Sequence, residues 1–381
     1  MRTLQAVITS LLFLGSACHG SDDESPPGTP PGEPPGPPGD RQDAGAGSPP
    51  GGDFGATPGG VKDMRYARAL ITEGKVPPKE TLLVEGMFAE HELGLTGAAC
   101  EDVLCLRAAA GVAPDGAGSP RGWVEVGLSS TIDPETWTRP ATTFIFTVDV
   151  SGSMGWGYGE EDITPGHLAR ILLHALTDQL RADDEVAIVT YGEDVSTALS
   201  ITAGGDHATV HAVIDDLEEA GSTNMEAGMR RAYELGAAAA ARGRANVRVI
   251  LFSDEQPNVG ATGSTEFETL IADGADDGVG ITVLALGLGV GAELVQSMSH
   301  LRGANAFSFA DDNDAAQFMN DDYPWFTTPI AYDLSLAVTP SPDLGIAEAY
   351  GFPGTFAADP ELTVSTIFLS KRKGAVFSIA A

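Results

Sequence analysis

Basic side chains are scarce in this sequence. Its 381 residues include 21 Lys and Arg against 54 Asp and Glu, a formal net charge of −33 at pH 7. A surface this acidic repels nucleic acid and anionic lipid headgroups, so we expect neither as a partner, whereas cations are favoured. Apolar residues make up 43% of the chain, which is typical of a globular protein with one large or two ordinary domains.

The motifs of common catalytic sites are also missing. The sequence has no Gly-x-Ser-x-Gly elbow, no phosphate-binding glycine loop and no catalytic Cys/His pair. His207 and His211 have the i, i+4 spacing of two zinc ligands on a helix, but the sequence offers no third ligand, and an exposed amphipathic helix explains the segment instead. We therefore predict that the protein is not an enzyme.

Cysteine is scarce too, with three in the chain. Cys18 ends the segment MRTLQAVITSLLFLGSAC, in which Arg2 precedes an apolar run of about a dozen residues, too short to span a bilayer and typical of a secretory signal. Leucine and small residues directly before a cysteine resemble the bacterial lipoprotein signal, in which that cysteine is lipidated. Ordinary signal cleavage nearby is the alternative. Because His19 rather than Asp follows the cysteine, the outer membrane is favoured.

The remaining cysteines, Cys100 and Cys105, lie close together in AACEDVLCLR. In an oxidising exported compartment, such a pair is expected to form one local disulfide. Two free buried thiols are the alternative, and a metal site is disfavoured because no histidine lies near them in the sequence.

Composition divides the chain into five segments. Residues 1–18 are the predicted signal peptide, and residues 19–62 are a predicted disordered tether, dominated by Gly and Pro in runs such as SPPGTPPGEPPGPPGD. We predict an N-terminal globular segment over 63–142, an α/β domain over 143–325 and a β-rich C-terminal segment over 326–381. The final GAVFSIAA stops within a predicted strand, so either the chain is truncated or this segment is abbreviated.

Strand-like and helix-like segments alternate from residue 143 onward. TFIFTVDV, EVAIVTYG, NVRVILFSD and ITVLALGLG are apolar runs of the kind found in strands covered on both faces, and HLARILLHALTDQLR carries one apolar helical stripe. The alternation predicts an α/β fold with an open, mainly parallel sheet and helices on both faces. Strand patterns before and after this unit predict a flanking β-rich domain built from N- and C-terminal segments.

Oxygen-bearing side chains follow three of the predicted elements. Asp149, Ser151 and Ser153 come at the end of one buried strand, Thr223 lies in GSTN at the start of a helix, and Asp254 ends another strand. The carboxyl ends of parallel strands share one edge of a sheet, so we expect these side chains to meet there. Oxygen ligands without sulfur or imidazole suit a hard cation, Mg²⁺ above all, with Mn²⁺ and Ca²⁺ as alternatives.

The succession of DVSGS, GSTN and an Asp after an apolar strand resembles the metal-ion-dependent adhesion site of von Willebrand factor type A domains, which have a Rossmann-like fold. The resemblance implies that the hydroxyls of Ser151 and Ser153 bind the metal directly and that Thr223 does so when a ligand is engaged. Asp149 and Asp254 would act largely through waters or hydroxyls. An open coordination position would then take an Asp or Glu carboxylate from a protein partner.

The resemblance extends beyond the site and departs from it at one position. YARALITEGKVPPKETLLVEGMF and AGSTNMEAGMRRAYELG resemble a bacterial group of type A proteins with an N-terminal associated segment, and the core is also similar to inter-alpha-trypsin inhibitor heavy chains. Glu255 follows Asp254 where the family commonly has Gly in a D-G-x-x-N pattern. Glu255 either points away, or reaches the metal and then fills the open position or recruits a different ion.

The loop GWGYGEEDITPGH follows the first motif and places Trp156 and Tyr158 among glycines. Aromatic side chains beside a metal site suit a contact surface, with Trp156 as a modulator of binding. Local packing of both rings is the alternative. The acidic trio Glu160, Glu161 and Asp162 is a weaker candidate for a second cation.

These features together predict a lipid-anchored binding module in the cell envelope, in contact with the membrane through its lipid alone. Its Mg²⁺ site would capture a protein partner by a carboxylate. The alternative is a structural or assembly subunit of an envelope complex, whose metal site mainly stabilises the fold.

Overall fold

A computed structural model describes most of the chain beyond the predicted tether. The described residues are 54–91, 100–115, 117–133, 136–159, 163–254, 257–323, 325–337, 347–351, 361–370 and 375–380. The predicted signal peptide with Cys18, the acidic trio and Glu255 lie outside them. Within the described residues, no helix is both long enough and apolar enough to cross a membrane.

Two sheets account for the strands of the described chain. In chain order the strands are β1 Phe54–Pro58, β2 Gly60–Val61, β3 Cys105–Pro114, β4 Pro120–Ser130, β5 Thr142–Asp149, β6 Glu185–Tyr191, β7 Val195–Ala203, β8 Asn246–Ser253, β9 Val279–Leu286, β10 Ala304–Phe309, β11 Pro329–Ala337, β12 Glu348–Tyr350, β13 Glu361–Ser370 and β14 Ala375–Ala380. The α-helices are α1 Arg65–Thr72, α2 Val84–Glu90, α3 Pro165–Asp178, α4 His207–Asp215, α5 Met225–Ala241, α6 Ser264–Asp276, α7 Ala292–Ser299 and α8 Asp312–Asp321.

The first sheet has the strand order β2-β10-β9-β8-β5-β6-β7 and is parallel except for the β6–β7 pair. Every residue of β5 is buried, as expected for an inner strand covered on both faces. One apolar cluster joins the sheet to α5, α6 and α7, and a second joins its other face to α3, α4 and α8. This is the α/β sheet with helices on both faces that the strand and helix patterns predict.

The second sheet is antiparallel and has the order β11-β13-β1-β4-β14-β12, with β3 added along β4. Its strands come from both ends of the described chain, which confirms the predicted flanking β-rich domain. Two hydrogen bonds to Thr366 of β13 join this sheet to the parallel sheet. Gly59 N–H donates to the Thr366 backbone O at 2.7 Å, and Gly303 N–H donates to Thr366 Oγ1 at 2.7 Å. The guanidinium of the buried Arg248 lies 5.1 Å from the centroid of the Phe368 ring.

The tether is shorter than predicted at its C-terminal end. Residues 54–61, assigned to the tether, form β1 and β2, and β2 extends the parallel sheet beyond β10. Gly and Pro in this stretch hide the pattern of a strand, and the pairing strands β13 and β10 lie far along the sequence. Cys100 and Cys105 are disulfide-bonded, and Cys105 is the first residue of β3.

Candidate metal centre

Strand β5 delivers the first group of predicted ligands. Asp149, its last residue, is 2% exposed, and its Oδ1 accepts a hydrogen bond from the Ser151 backbone N–H at 2.9 Å. The chain then enters a short 3₁₀ turn, Gly152–Gly155, in which the Ser151 and Ser153 Oγ atoms approach to 3.1 Å. The aspartate thus fixes the turn that places two hydroxyl groups side by side at the end of the strand.

The segment with Thr223 is held against this turn by backbone hydrogen bonds. Gly152 N–H donates to Gly221 O at 3.1 Å, and Ala220 N–H donates to Val150 O at 2.8 Å. Gly221 has φ +80°, a left-handed conformation that glycine adopts without strain. These contacts bring Thr223, which is 1% exposed, to the same edge of the sheet as the two serines.

Asn258 determines the orientation of Thr223. Its Oδ1 accepts from Thr223 N–H at 2.8 Å, its backbone N–H donates to Thr223 O at 3.1 Å, and its Nδ2 lies 3.4 Å from Thr223 Oγ1. Asn258 is not among the predicted site residues, although it occupies the last position of the D-G-x-x-N pattern. The signal was therefore present in the sequence.

Strand β8 supplies the third segment. Ser253, its last residue, donates through Oγ to Asp149 Oδ2 at 2.9 Å, and the next residue, Asp254, is 2% exposed. Two buried carboxylates therefore lie near one another. Burial raises the pKa of Asp149 to about 6 and the charge of Asp254 adds to this, while hydrogen bonds from Ser151 and Ser253 oppose it. Anionic charge is therefore crowded at this edge of the sheet.

The donor set fits a hard divalent cation. It consists of three hydroxyls, two carboxylates and backbone groups, all of them oxygen ligands. Within the described ranges, no group of three or more His, Cys, Asp and Glu side chains can hold a metal ion, so any ion at this edge would depend on the hydroxyls of Ser151, Ser153 and Thr223. Both oxygens of Asp149 already accept protein hydrogen bonds, which suits an orienting role better than direct ligation.

The two aromatic side chains of the following loop differ in exposure. Trp156 is 70% exposed directly after the turn that carries Ser153, whereas Tyr158 packs against the apolar core and its hydroxyl donates to Ala310 O at 2.9 Å. Local packing thus describes Tyr158, and Trp156 remains the candidate contact residue. The structure does not describe the side chain of Glu255, so its orientation stays a prediction.

Sequence comparison agrees with this geometry. Residues 144–256 match the family profile of the von Willebrand factor type A domain. The match covers β5, the hydroxyl-bearing turn, the Thr223 segment and β8 through Asp254. Residues 144–256 are therefore similar in sequence to a von Willebrand factor type A domain.

Two curated relatives cover a wider region. The uncharacterized protein YfbK of Escherichia coli is 28% identical over 211 residues, which are 55% of this chain and 36% of that protein. Inter-alpha-trypsin inhibitor heavy chain H2 of Mus musculus is 23% identical over 204 residues, 52% of this chain and 21% of that protein. The chain therefore matches about a third or less of the length of each relative, and both matches agree with the predicted resemblances.

Solved structures show similarity at low sequence identity. A von Willebrand factor type A protein from Catenulispora acidiphila is 14% identical with a TM-score of 0.48, covering 73% of this chain and 65% of that one. Proximal thread matrix protein 1 from the mussel byssus, solved with a zinc-occupied adhesion motif, is 17% identical with a TM-score of 0.37, covering 48% of this chain and 44% of that one.

Proposed function

We propose that this protein is an exported, lipid-anchored binding module whose type A domain captures a carboxylate of a protein partner through a divalent cation. The observation that supports the proposal most is the pair of hydroxyl oxygens of Ser151 and Ser153, 3.1 Å apart and presented by the buried Asp149. Thr223, oriented by Asn258, is the third hydroxyl at this edge.

The direct ligands in this proposal are Ser151, Ser153 and Thr223, with Mg²⁺ as the favoured ion. Neutral hydroxyls leave most of the charge of a divalent cation uncompensated, so the bound ion attracts an external carboxylate. Asp149 and Asp254 supply buried negative charge behind the hydroxyls, and Asp149 holds the Ser151 backbone in place. Trp156 directly follows the turn that carries Ser153, and its exposed ring would contact the partner around the captured carboxylate.

Anchoring is proposed from the sequence alone. Cys18 would carry the lipid and the Gly/Pro-rich tether would hold the domain away from the membrane surface. We expect Cys18→Ser to release the protein from bacterial membranes into the soluble fraction. Unchanged membrane partitioning would contradict lipid anchoring, and it would leave the proposal for the metal site unaffected.

A second candidate is a structural or assembly subunit in which the cation mainly stabilises the fold. The two nearby aspartates, Asp149 and Asp254, each 2% exposed, favour it because a cation would relieve the repulsion between them in any case. In this role the ion would raise stability without a change in partner binding.

Partner capture with and without Mg²⁺ distinguishes the two candidates. The purified protein is used to capture partners from envelope extract in Mg²⁺ or in EDTA, alongside Asp149→Ala and the control Asp183→Ala. Asp183 is an exposed aspartate at the opposite end of the sheet. We expect capture by the wild type and the control in Mg²⁺, and loss of capture in EDTA and in Asp149→Ala while the domain stays folded by circular dichroism. Capture that survives both treatments would support the structural role.

A further inference from the structure

Two histidines meet where α3 packs on α4, on the helix layer away from the strand ends of the metal centre. The His174 and His211 Nδ1 atoms are 2.7 Å apart, and the two rings are stacked with centroids 4.9 Å apart. Each imidazole also reaches a carboxylate of the opposite helix. His174 Nε2 lies 3.1 Å from Asp215 Oδ1, and His211 Nε2 lies 3.0 Å from Asp178 Oδ1.

The hydrogen bonds of this four-residue cluster fix its proton count. An exposed carboxylate is ionised at neutral pH and only accepts, so both Nε2 atoms must carry a hydrogen. The contact between the two Nδ1 atoms needs a single proton, because two hydrogens or two lone pairs facing each other would repel. One hydrogen between the two Nδ1 atoms therefore satisfies both nitrogens, and each Nε2–H donates to a carboxylate.

We propose that this cluster, His174 and His211 with Asp178 and Asp215, is a binding site for a divalent transition metal, with Zn²⁺ as the representative ion. Imidazole nitrogen is a preferred ligand of zinc, copper and nickel, and the two Nδ1 atoms already point at one position. At Zn–N bond lengths of about 2.0–2.1 Å, a tetrahedral ion would hold the nitrogens roughly 3.3 Å apart, so small side-chain rotations would admit it.

The surroundings of the two imidazoles are those of metal ligands. A ligating histidine usually donates its second N–H to a carboxylate, which fixes the ring, and Asp178 and Asp215 occupy those positions. The His174 and His211 side chains are 35% and 28% exposed, which leaves access for an ion and for water to complete its coordination. A divalent ion bound to both Nδ1 atoms would take the place of the hydrogen between them.

Two nitrogen ligands, rather than three, define the proposed site. His207, the expected zinc partner of His211 by sequence spacing, instead donates from Nε2 to Leu180 O at 2.9 Å and stands edge-on to the His211 ring at 6.5 Å between centroids. The sequence spacing pointed to α4, but the second ligand comes from α3.

Metal binding here has a defined proton balance. Zn²⁺ would form bonds to both Nδ1 atoms, the shared proton would leave to solvent, and both Nε2–H groups would stay on their carboxylates. No electron is transferred. One proton is released for each ion bound, which distinguishes this site from the oxygen site at the strand ends, where hydroxyl ligation needs no imidazole proton.

The test is a calorimetric titration of the full chain with Zn²⁺, in excess Mg²⁺, in two buffers of different ionisation enthalpy. We expect one zinc equivalent and the release of about one proton per ion. His174→Gln and His211→Gln should each weaken zinc binding by at least tenfold, and Asp178→Asn by about tenfold. Asp149→Ala, which alters the strand-end site, should leave this equivalent in place.

His167→Gln is the matched control, because His167 is also on α3 and also faces a carboxylate, Asp312 at 3.1 Å, but has no second imidazole. It should retain the zinc equivalent, and circular dichroism should show that all variants are folded. Absence of zinc binding in the wild type, or equal zinc affinity in His174→Gln, His211→Gln and His167→Gln, would overturn the proposal and leave the pair as a proton-sharing contact between two helices.

Discussion

A buried aspartate lies at each end of strand β5, and the two carboxylates are neutralised in different ways. Asp149 is the last residue of β5, whereas Asp184 precedes β6 and contacts Thr142, the first residue of β5. Asp184 accepts hydrogen bonds from both terminal nitrogens of Arg139, one of them at 2.8 Å, and from the backbone N–H groups of Thr142 at 2.9 Å and Arg181 at 2.8 Å. Burial opposes ionisation of Asp184, but the Arg139 hydrogen bonds and charge outweigh it and lower its pKa.

At the other end of the strand, Asp149 accepts within the described part of the chain from neutral donors, the Ser151 N–H and the Ser253 hydroxyl. Its pKa is raised to about 6, chiefly by burial, and no basic side chain is among the groups that shift it. Both aspartates are almost fully buried, so the difference lies in the counterion. An internal arginine makes Asp184 a structural residue, whereas the Asp149 end offers a position for a cation from solution.

The largest expected effect is a loss of stability when Asp184 loses its partner Arg139. Arg139→Met leaves the Asp184 carboxylate buried without its counterion, and we expect a loss of about 3–5 kcal/mol in the free energy of unfolding. Urea denaturation measures it. Arg230→Ala, which breaks an exposed i, i+4 pair with Glu226, is the control and should cost about 0.5 kcal/mol or less. A loss below about 1 kcal/mol for Arg139→Met would remove the distinction between the two ends.

In the metal-free protein, Asp149 should lower the free energy of unfolding as the pH rises. This is opposite in sign to the contribution of Asp184, whose pKa is lowered. Because the folded pKa of Asp149, about 6, lies above the unfolded value of 3.8, protonated Asp149 contributes stability at low pH, and this contribution is lost as the pH rises through 6. In EDTA, wild type should lose stability relative to Asp149→Asn between about pH 4 and pH 7, by up to roughly 3 kcal/mol. A constant difference across this range, measured by urea denaturation, would show that burial of Asp149 is compensated by the protein itself.

Mg²⁺ should supply the missing counterion at the Asp149 end. At an Mg²⁺ concentration about a hundredfold above its Kd, the wild type should gain about 2.7 kcal/mol of stability over its value in EDTA. Asp149→Asn should gain much less, and the control Asp183→Asn should gain as much as the wild type. The gain in stability is measured by thermal or urea denaturation. Equal gains in all three proteins would place the stabilising ion elsewhere.

The smallest effect concerns Glu255, which adds a further negative charge beside Asp254 in the sequence. If its carboxylate occupies the open position of the cation, Glu255→Gly should raise the Mg²⁺-dependent affinity for a carboxylate ligand by about tenfold, or 1.4 kcal/mol. Titration with an Asp-containing peptide of the captured partner measures this. Unchanged affinity would mean that the Glu255 side chain points away from the ion.

Much of the parallel sheet and of its strand-end site follows from local sequence patterns. Apolar runs such as TFIFTVDV predict inner strands because both faces of a parallel sheet are covered, and Thr164-Pro165 predicts the start of α3, where the Thr164 hydroxyl accepts from His167 N–H at 3.1 Å. Asp149, Ser151 and Ser153 lie within one short stretch of the sequence, so the turn that they form is also local. Their metal binding stays a prediction.

The flanking β-rich domain was predicted, but the individual pairings between distant residues were not. β1 pairs with β13, more than 300 residues away in the chain, and its FGATP sequence carries no strand pattern of its own. Asp184 and Arg139 are 45 residues apart, and His174 and His211 are 37 apart. Each of these pairs forms only once strands and helices are packed, and helix or strand periodicity gives no register between separate elements.

Direct measurement of Mn²⁺ binding by electron paramagnetic resonance, with competition by Mg²⁺, tests the central claim that hydroxyl groups at the end of β5 hold a divalent cation. The account predicts one Mn²⁺ per chain that Mg²⁺ displaces, and an affinity lower by at least about tenfold in Ser151→Ala and Ser153→Ala, because each variant removes one oxygen ligand. Mn²⁺ affinity equal to that of the wild type in both serine variants would contradict it.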